Sequence, residues 1–389
     1  MRAILIGGGI GGLAAALALS RRGVAVTVLE KSPVLGEAGA GLQLGPNATR
    51  VLFDLGLRES LVAKAFAPES AEIRAASDQS LLLRNTLGPS AVARWGAPYL
   101  QLHRADLQAL LHDAVLAAGC EVRLGAAVLR IDQEEARVRV ILSEGGSLEG
   151  DFAVGCDGVR SGVRQSLFGT GAPRFTGQVA WRGMVPADRL PPGTVPPLAA
   201  VWAGPGRHFV HYYVRGGQAV NFVGVVERDW REESWTEPGD PAELQADFAG
   251  WPPVVTAICS AVTSPFRWAL FDRPPLANWT QGRVTLLGDA AHPMLPFLAQ
   301  GAAMAIEDAA VLAHRVGGAT DIPAALLAYQ GDRLARTRRV QEASRFNARL
   351  FHLPMAVGRA AFAAAGLADS LHPGGTAARF DWLYGYKAP

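Results

Sequence analysis

Cysteine is scarce in this chain: Cys120, Cys156 and Cys259 are the whole complement among 389 residues. They are widely spaced, odd in number and outside any C-x-x-C pair. That argues against a disulfide framework or a zinc site, leaves no metal ligand set to name, and fits a reduced, cytoplasmic protein. Charge is sparse too. Charged residues make up 19% of the sequence and the formal net charge is +2, which excludes the basic field a nucleic-acid binder needs. Long apolar runs are also missing. The tract over residues 353–368 is interrupted by Gly358 and Arg359, which argues against a membrane span. No repeat or low-complexity linker is visible. The apolar stretch that follows Met1-Arg2 and reaches Leu19 has the outline of a secretory leader. However, Gly7, Gly8, Gly9, Gly11 and Gly12 would weaken a leader helix, and the stretch runs straight into Arg21-Arg22.

What is abundant is apolar side chain, 49% of the residues, as in a well-packed enzyme of one large or two closely joined domains. Ala3-Ile4-Leu5-Ile6 reads as a strand buried on both faces. Gly7-Gly8-Gly9-Ile10-Gly11-Gly12 follows and matches G-x-G-x-x-G at Gly7, Gly9 and Gly12. Residues 13–21 then read as a helix and residues 24–29 as a second strand ending at Glu30. Each part has a physical task. Gly7 permits a tight turn, Gly9 lets backbone approach a pyrophosphate, and Gly12 lets helix and strand pack closely. The helix N-terminus offers free N–H groups and a positive dipole end to the phosphates. Glu30 lies about 20 residues on, where a carboxylate meets ribose hydroxyls and repels a 2′-phosphate, so the dinucleotide is FAD or NAD.

Three further segments choose between them: Gly155-Cys156-Asp157-Gly158-Val159-Arg160-Ser161, Gly282-Arg283-Val284-Thr285-Leu286-Leu287-Gly288-Asp289-Ala290-Ala291-His292-Pro293, and Gln300-Gly301-Ala302-Ala303-Met304-Ala305-Ile306-Glu307-Asp308-Ala309. Alone, Asp157 and Asp289 each end a short apolar strand and read as caps of a following helix. Taken together with the glycine turn, the segments resemble the fingerprints of the class A flavoprotein monooxygenases. More narrowly, the whole chain resembles the salicylate hydroxylase-like branch, with its 3-hydroxybenzoate and 6-hydroxynicotinate hydroxylases. Gly39-Ala40-Gly41-Leu42-Gln43-Leu44-Gly45-Pro46-Asn47 and Phe380-Asp381-Trp382-Leu383-Tyr384-Gly385-Tyr386 also look like that branch.

The resemblance implies an α/β fold: a Rossmann-like FAD-binding domain with an inserted mixed β-sheet substrate domain and C-terminal helices. It implies bound FAD, with NADH or NADPH as transient electron donor. Glu30 would meet the adenosine ribose with Lys31 beside it, Val128 the adenine, and Arg104 the phosphate–ribityl chain. Asp157 and Arg160 match a motif linked to both FAD and NAD(P)H, and Asp289 the ribityl-binding carboxylate. Leu42 and Gln43 would line the cofactor site, and Gly301 and Ala302 the pyrimidine edge of the flavin. That last placement has its own physical reason. Residues 303–315 read as a helix with Met304, Ala305, Ala309 and Leu312 on an apolar face, and its N-terminal amides would stabilise negative charge on a reduced flavin.

The cofactor motifs divide the chain into an FAD-binding domain over 1–70, 101–170 and 272–345, a substrate domain over 71–100 and 171–271, and a C-terminal helical segment over 346–389. Residues 175–182 and 201–226 carry strand patterns, with Arg215-Gly216-Gly217-Gln218 as a hairpin turn. Residues 186–197 read as a proline-rich surface loop. Residues 329–351 read as a long helix with solvated arginines, Arg333 among them, and Leu334, Val340, Ala343, Phe346 and Leu350 turned inward.

The implied function is a single-component monooxygenase that uses NAD(P)H and O2 to hydroxylate a small phenolic, hydroxybenzoate or hydroxypyridine-like substrate through a flavin C4a-hydroperoxide. No nucleic-acid partner is expected, and the assembly is a monomer or homodimer. A phenol reacts better when deprotonated, so a base is expected among His208, His211 and Tyr212. Residues 208 and 212 share one strand face and 211 takes the other. The resemblance maps a pocket His and Tyr onto His208 and Tyr212, as base and relay. His292 reads as structural. Two departures stand out: the apolar run Met294-Leu295-Pro296-Phe297-Leu298, and Gln43 where some relatives have His. Arg182 and Arg215 are the candidates to hold a substrate carboxylate. Loss of CO2 on hydroxylation stays open. An FAD epoxidase, or a reductase or dehydrogenase that never activates oxygen, shares the cofactor parts. A flavin halogenase lacks support because no W-x-W-x-I-P stretch is present.

Overall fold

The computed structural model describes residues 1–36, 40–169, 173–232, 237–370, 372 and 374–389. Gly39 and the expected division at 170/171 lie outside the described residues.

The apolar run at the start becomes the strand Arg2–Ile6, whose Ile4 and Leu5 are fully buried. It lies between Phe152–Gly155 and Ala25–Leu29, parallel to both, in a six-stranded sheet. Glu121–Arg123 closes one edge, and Val284–Leu286 with Thr280–Gln281 the other, the last strand alone running antiparallel. The helix Ile10–Ser20 is apolar on nearly every face, as a helix covered on all sides should be. It packs on the helix Gly301–Val316 so closely that a Cβ at Gly11 would lie 2.8 Å from Leu287 and 3.1 Å from Ala305.

A second, seven-stranded sheet roofs the first layer in the order Phe266–Asp272, Arg174–Pro186, Ala219–Glu227, Arg207–Val214, Ala199–Gly204, Ser70–Ala75, Leu81–Thr86. It is mixed: Ala199–Gly204 and Ser70–Ala75 run parallel and the other pairs antiparallel. The two faces differ. Trp181, Phe209 and Phe222 pack with Leu244, Val255 and Ile258 of the helices Pro241–Asp247 and Pro253–Ala261. Ala180, Ala203 and Val225 face Trp268, Leu295 and Phe297 on the other side. Among the described residues, no helix is long and apolar enough to cross a membrane.

Three local expectations need correction. The 186–197 stretch holds a short 3-10 turn, Ala187–Arg189, and buries Leu190 and Val195 in the aromatic core, so it is anchored and not merely a surface loop. The long helix runs Ile322–Leu350, begun by the Asp321 side chain accepting from the Ala324 N–H at 3.0 Å. On it Phe346 is 63% exposed, whereas Arg333 is fully buried, because two carboxylates of the neighbouring helix draw that guanidinium inward.

Candidate active site

One cavity of about 880 Å3 runs from the glycine turn to the roof sheet, at the upper end for a single ligand and roomy enough for a cofactor and a substrate. Gly7, Gly9, Glu30, Lys31, Leu42, Gln43, Arg104, Val128, Asp157, Arg160, Asp289, Gly301 and Ala302 all line it. Gly12 does not, and its task is packing: a Cβ there would lie 2.0 Å from the Gly7 carbonyl oxygen. Gly7 has φ +113°, and a Cβ would meet the Cys156 carbonyl oxygen at 2.4 Å. A Cβ on Gly9 would meet nothing within 4 Å, so this is where open space approaches the backbone. A bare amide cradle at a helix N-terminus, with a carboxylate and several cations on the adjoining wall, fits the pyrophosphate and ribose of FAD.

The carboxylates are held firmly. Glu30 accepts the Gly8 N–H at 2.7 Å and the Ser32 N–H at 2.8 Å. Asp157 accepts the Val163 N–H at 3.1 Å, supporting the first turn of the helix Gly162–Phe168 behind its Ser161 cap, and lines the cavity at once. Asp289 sits in the 3-10 turn Gly288–Ala290 and caps no α-helix. That turn is pinned from below by Asp308, which accepts from the Gly288 N–H at 3.0 Å and from Arg333 Nε at 2.7 Å, with His292 Nε2 at 2.6 Å. His292 is therefore structural. Burial opposes the Asp308 charge, but His292 and Arg333 outweigh it and hold the carboxyl at about 2. Glu307 completes the buried network, bonding Arg336 Nε at 2.6 Å and accepting from Asn47 Nδ2 at 2.7 Å. These ties fix the N-terminal turn of Gly301–Val316 against the cavity.

The roof wall follows from strand register. His208, Val210 and Tyr212 alternate onto the cavity face, with Val225, Val223 and Asn221 opposite them on the next strand. Ala180 and Arg182 continue those rows, and Ala199 and Val201 flank them on the far side. The polar groups of this wall are His208, Tyr212, Asn221 and Arg182, with Asn85 and Glu72 on the last two strands of the sheet. Arg182 is buried, with its guanidinium 5.4 Å from the ring centres of both Phe266 and Trp268. Arg215 lies outside the cavity lining, 3.7 Å from Asp106, so of the two arginines only Arg182 is in place to meet a substrate.

Strand geometry corrects the remaining expectations. His211 points to the aromatic core, where its Nε2 accepts the Trp202 indole N–H at 3.0 Å, so it is not a catalytic group. Burial without a counter-charge lowers it to about 4. His208 and Tyr212 share a face, but four residues of strand separate them by about 13 Å. Tyr212 therefore cannot relay a proton directly from His208. The partner of His208 is His352, with His208 Nδ1 2.7 Å from His352 Nε2. Burial, then His352, pushes His208 well below the usual histidine range, so the ring is neutral.

Sequence reasoning did not find Asn221, Tyr99 or His352. Asn221 Oδ1 accepts the Gly41 N–H at 2.7 Å, leaving its buried Nδ2 without a partner among the described residues, and Tyr99 donates to Gln43 Oε1 at 2.9 Å. The Val220-Asn221-Phe222 alternation carried the one available signal for Asn221, a polar residue at a buried strand position.

Comparison with known proteins points to one class. A family model described as "FAD binding domain" matches residues 1–344. The chain is 41% identical to a 3-amino-4-hydroxybenzoate 2-monooxygenase of Streptomyces platensis, covering 100% of this chain and 96% of that one. It is 40% identical to a 3-hydroxybenzoate 6-hydroxylase of Polaromonas naphthalenivorans, covering 99% and 96%. Among solved structures, a salicylate hydroxylase substrate complex superposes with a TM-score of 0.82 at 28% identity, covering 100% of this chain and 96% of the other.

Proposed function

The chain belongs to the FAD-dependent aromatic monooxygenases, and we propose that it uses NAD(P)H and dioxygen on a small phenolic acid of the hydroxybenzoate or hydroxypyridine class. The observation that carries this reading is the central roof wall: a largely apolar surface where the neutral His208 imidazole, Tyr212, the Asn221 amide and the Arg182 guanidinium face the cavity. Neither an epoxidase nor a reductase needs that set. The named relatives act on hydroxybenzoates, in agreement.

Bound FAD would take electrons from NAD(P)H and supply the activated oxygen. The chain's residues hold the reactants around it. The Gly9 amide and the Ile10–Ser20 N-terminus would receive the pyrophosphate, Glu30 and Lys31 the ribose end, Val128 the adenine, Arg104 and Asp289 the ribityl chain. The first amides of Gly301–Val316, at Gly301 and Ala302, would offset negative charge on the flavin ring, and Leu42 and Gln43 would hold it from the side. His208 accepts the phenolic proton at Nε2, which makes the ring a better nucleophile. Arg182 meets the carboxylate, and Asn221 Nδ2 with Tyr212 contacts the far end of the substrate. The apolar wall excludes water that would divert the activated oxygen to peroxide.

The sheets support the domain division drawn from the motifs, with Ser70 already part of the roof. The assembly proposed is a monomer or homodimer. Free thiols at Cys120, Cys156 and Cys259 support a cytoplasmic setting. The test is a panel of hydroxybenzoates, hydroxypyridines and fused phenols offered to the FAD-loaded protein. The expected result is NAD(P)H oxidation stimulated by a phenolic acid, with one hydroxylated product per NAD(P)H. Peroxide alone from every member would count against the reading.

A further inference from the structure

His352 lies just past the C-terminus of the long helix, where its carbonyl accepts the Gly206 N–H at 3.3 Å from the turn that begins the His208 strand. The helix end is thereby tied to the roof, and the His352 ring sits between a cavity residue and a surface residue. On one side, Nε2 is 2.7 Å from His208 Nδ1. On the other, Nδ1 is 2.8 Å from Glu227 Oε1. His208 is 1% exposed overall, yet its ring lines the cavity, whereas the Glu227 side chain is 56% exposed. The three groups thus run unbroken from cavity to solvent.

The proton positions follow from what each end can do. Glu227 as a carboxylate only accepts, so His352 Nδ1 carries a hydrogen. The Gln178 amide lies 3.3 Å from the same nitrogen, but the shorter, charged contact decides its state. His352 Nε2 is then bare and accepts from His208 Nδ1–H. That leaves His208 Nε2 bare, with no partner among the described residues.

We infer that His208, His352 and Glu227 form a proton exit path from the substrate hydroxyl to solvent, with His352 and Glu227 as positioning residues that act through His208. This rests on the phenolic reading above. The substrate O–H proton goes to His208 Nε2, His208 Nδ1–H to His352 Nε2, and His352 Nδ1–H to Glu227, which releases a proton to water. Substrate oxygen is left as phenolate, both rings stay neutral, and no electrons are transferred. The reverse sequence reprotonates the product oxygen and restores both tautomers.

Burial explains why a path is needed. His208 is wedged between Phe297 and Phe351, with ring centres 5.2 and 5.3 Å away, and among the described residues no carboxylate is bonded to it. Burial and His352 oppose its protonated form, and burial outweighs Glu227 in lowering His352 as well. Neither ring is a resting place for a proton, whereas a half-exposed carboxylate can pass one to water. The titratable groups in contact along the path are His208, His352 and Glu227; Gln178, Phe297 and Phe351 carry no charge.

The test uses FAD-loaded, oxidised enzyme without NAD(P)H, mixed rapidly with the most stimulating hydroxybenzoate of the panel. Phenolate absorbance and a pH indicator in weak buffer report deprotonation and proton release. In the native enzyme the two signals rise together. Glu227→Gln and His352→Gln should slow both by about ten- to a hundredfold, at the low end for a positioned proton-transfer group, without changing ligand affinity by more than about twofold. Glu227→Asp should restore most of the rate. Glu227 is half exposed, so its exchange leaves the fold intact. Native enzyme that binds the hydroxybenzoate and releases no proton would sink the base assignment and the path together. Native release with unchanged rates in both variants would sink the path alone.

Discussion

His211→Gln separates a buried structural histidine from a catalytic one by its response to acid. His211 is completely buried, accepts the Trp202 indole N–H, and among the described residues has no hydrogen-bond partner at Nδ1. Its folded pKa is lowered from 6.5 to about 4 by burial. The unfolded chain therefore binds more protons than the folded one between those values. The histidine's contribution is fully present above about pH 6.5 and is lost as the pH falls. From pH 7.5 to pH 5, that linkage amounts to about 2 kcal/mol. With an unfolding entropy of roughly 0.8 kcal/mol/K for a chain of this size, the loss is about 2–3 °C in midpoint. The glutamine can still accept from Trp202 through its amide oxygen and has nothing to titrate. Between pH 7.5 and pH 5 the thermal midpoint of the native protein should fall by 2–3 °C more than that of the variant, both saturated with FAD, roughly the linkage shift. Equal acid sensitivity would refute the burial argument. A hundredfold loss of turnover at pH 7.5 would place His211 in the chemistry after all.

His208→Gln should lower kcat on the phenolic substrate by about a hundred- to ten-thousandfold while flavin reduction by NAD(P)H persists, as rapid-mixing kinetics would show. Gly12→Ala puts a methyl 2.0 Å from the Gly7 oxygen and should give protein without flavin absorbance; retained FAD would contradict the packing role. Arg333→Met leaves Glu307 and Asp308 short of a buried partner and should cost about 3–5 kcal/mol, a midpoint drop of roughly 4–6 °C. Asp308 is held at about 2, so its stabilisation is complete above pH 4 and fades as the pH falls towards 2; Asp308→Asn should flatten that part of the acid-denaturation curve.

The cofactor end was legible because its signals are local. A strand, a glycine turn and a helix N-terminus occupy consecutive residues, and one missing Cβ at Gly9 or Gly12 has one geometric meaning. Strand alternation likewise put residues 208 and 212 on one face and 211 on the other before any register was known. The pairing of His208 was not legible. His352 is 144 residues away and reaches it only because a long helix ends against the roof. Asn221 becomes a site residue only through its register opposite Tyr212. Arg333 and Phe346 were misread for a related reason. A helical pattern of arginines and apolar residues implies a solvated face, but buried Glu307 and Asp308 override it by drawing Arg333 inward.

The central claim is that this cavity deprotonates a phenolic acid and oxygenates its ring. Turnover of the most stimulating panel member under isotopically labelled dioxygen tests it most directly. The account predicts one labelled oxygen atom in the ring of the product, in step with NAD(P)H consumed. Consumption with the label recovered only as peroxide, for every phenolic acid tried, would contradict it.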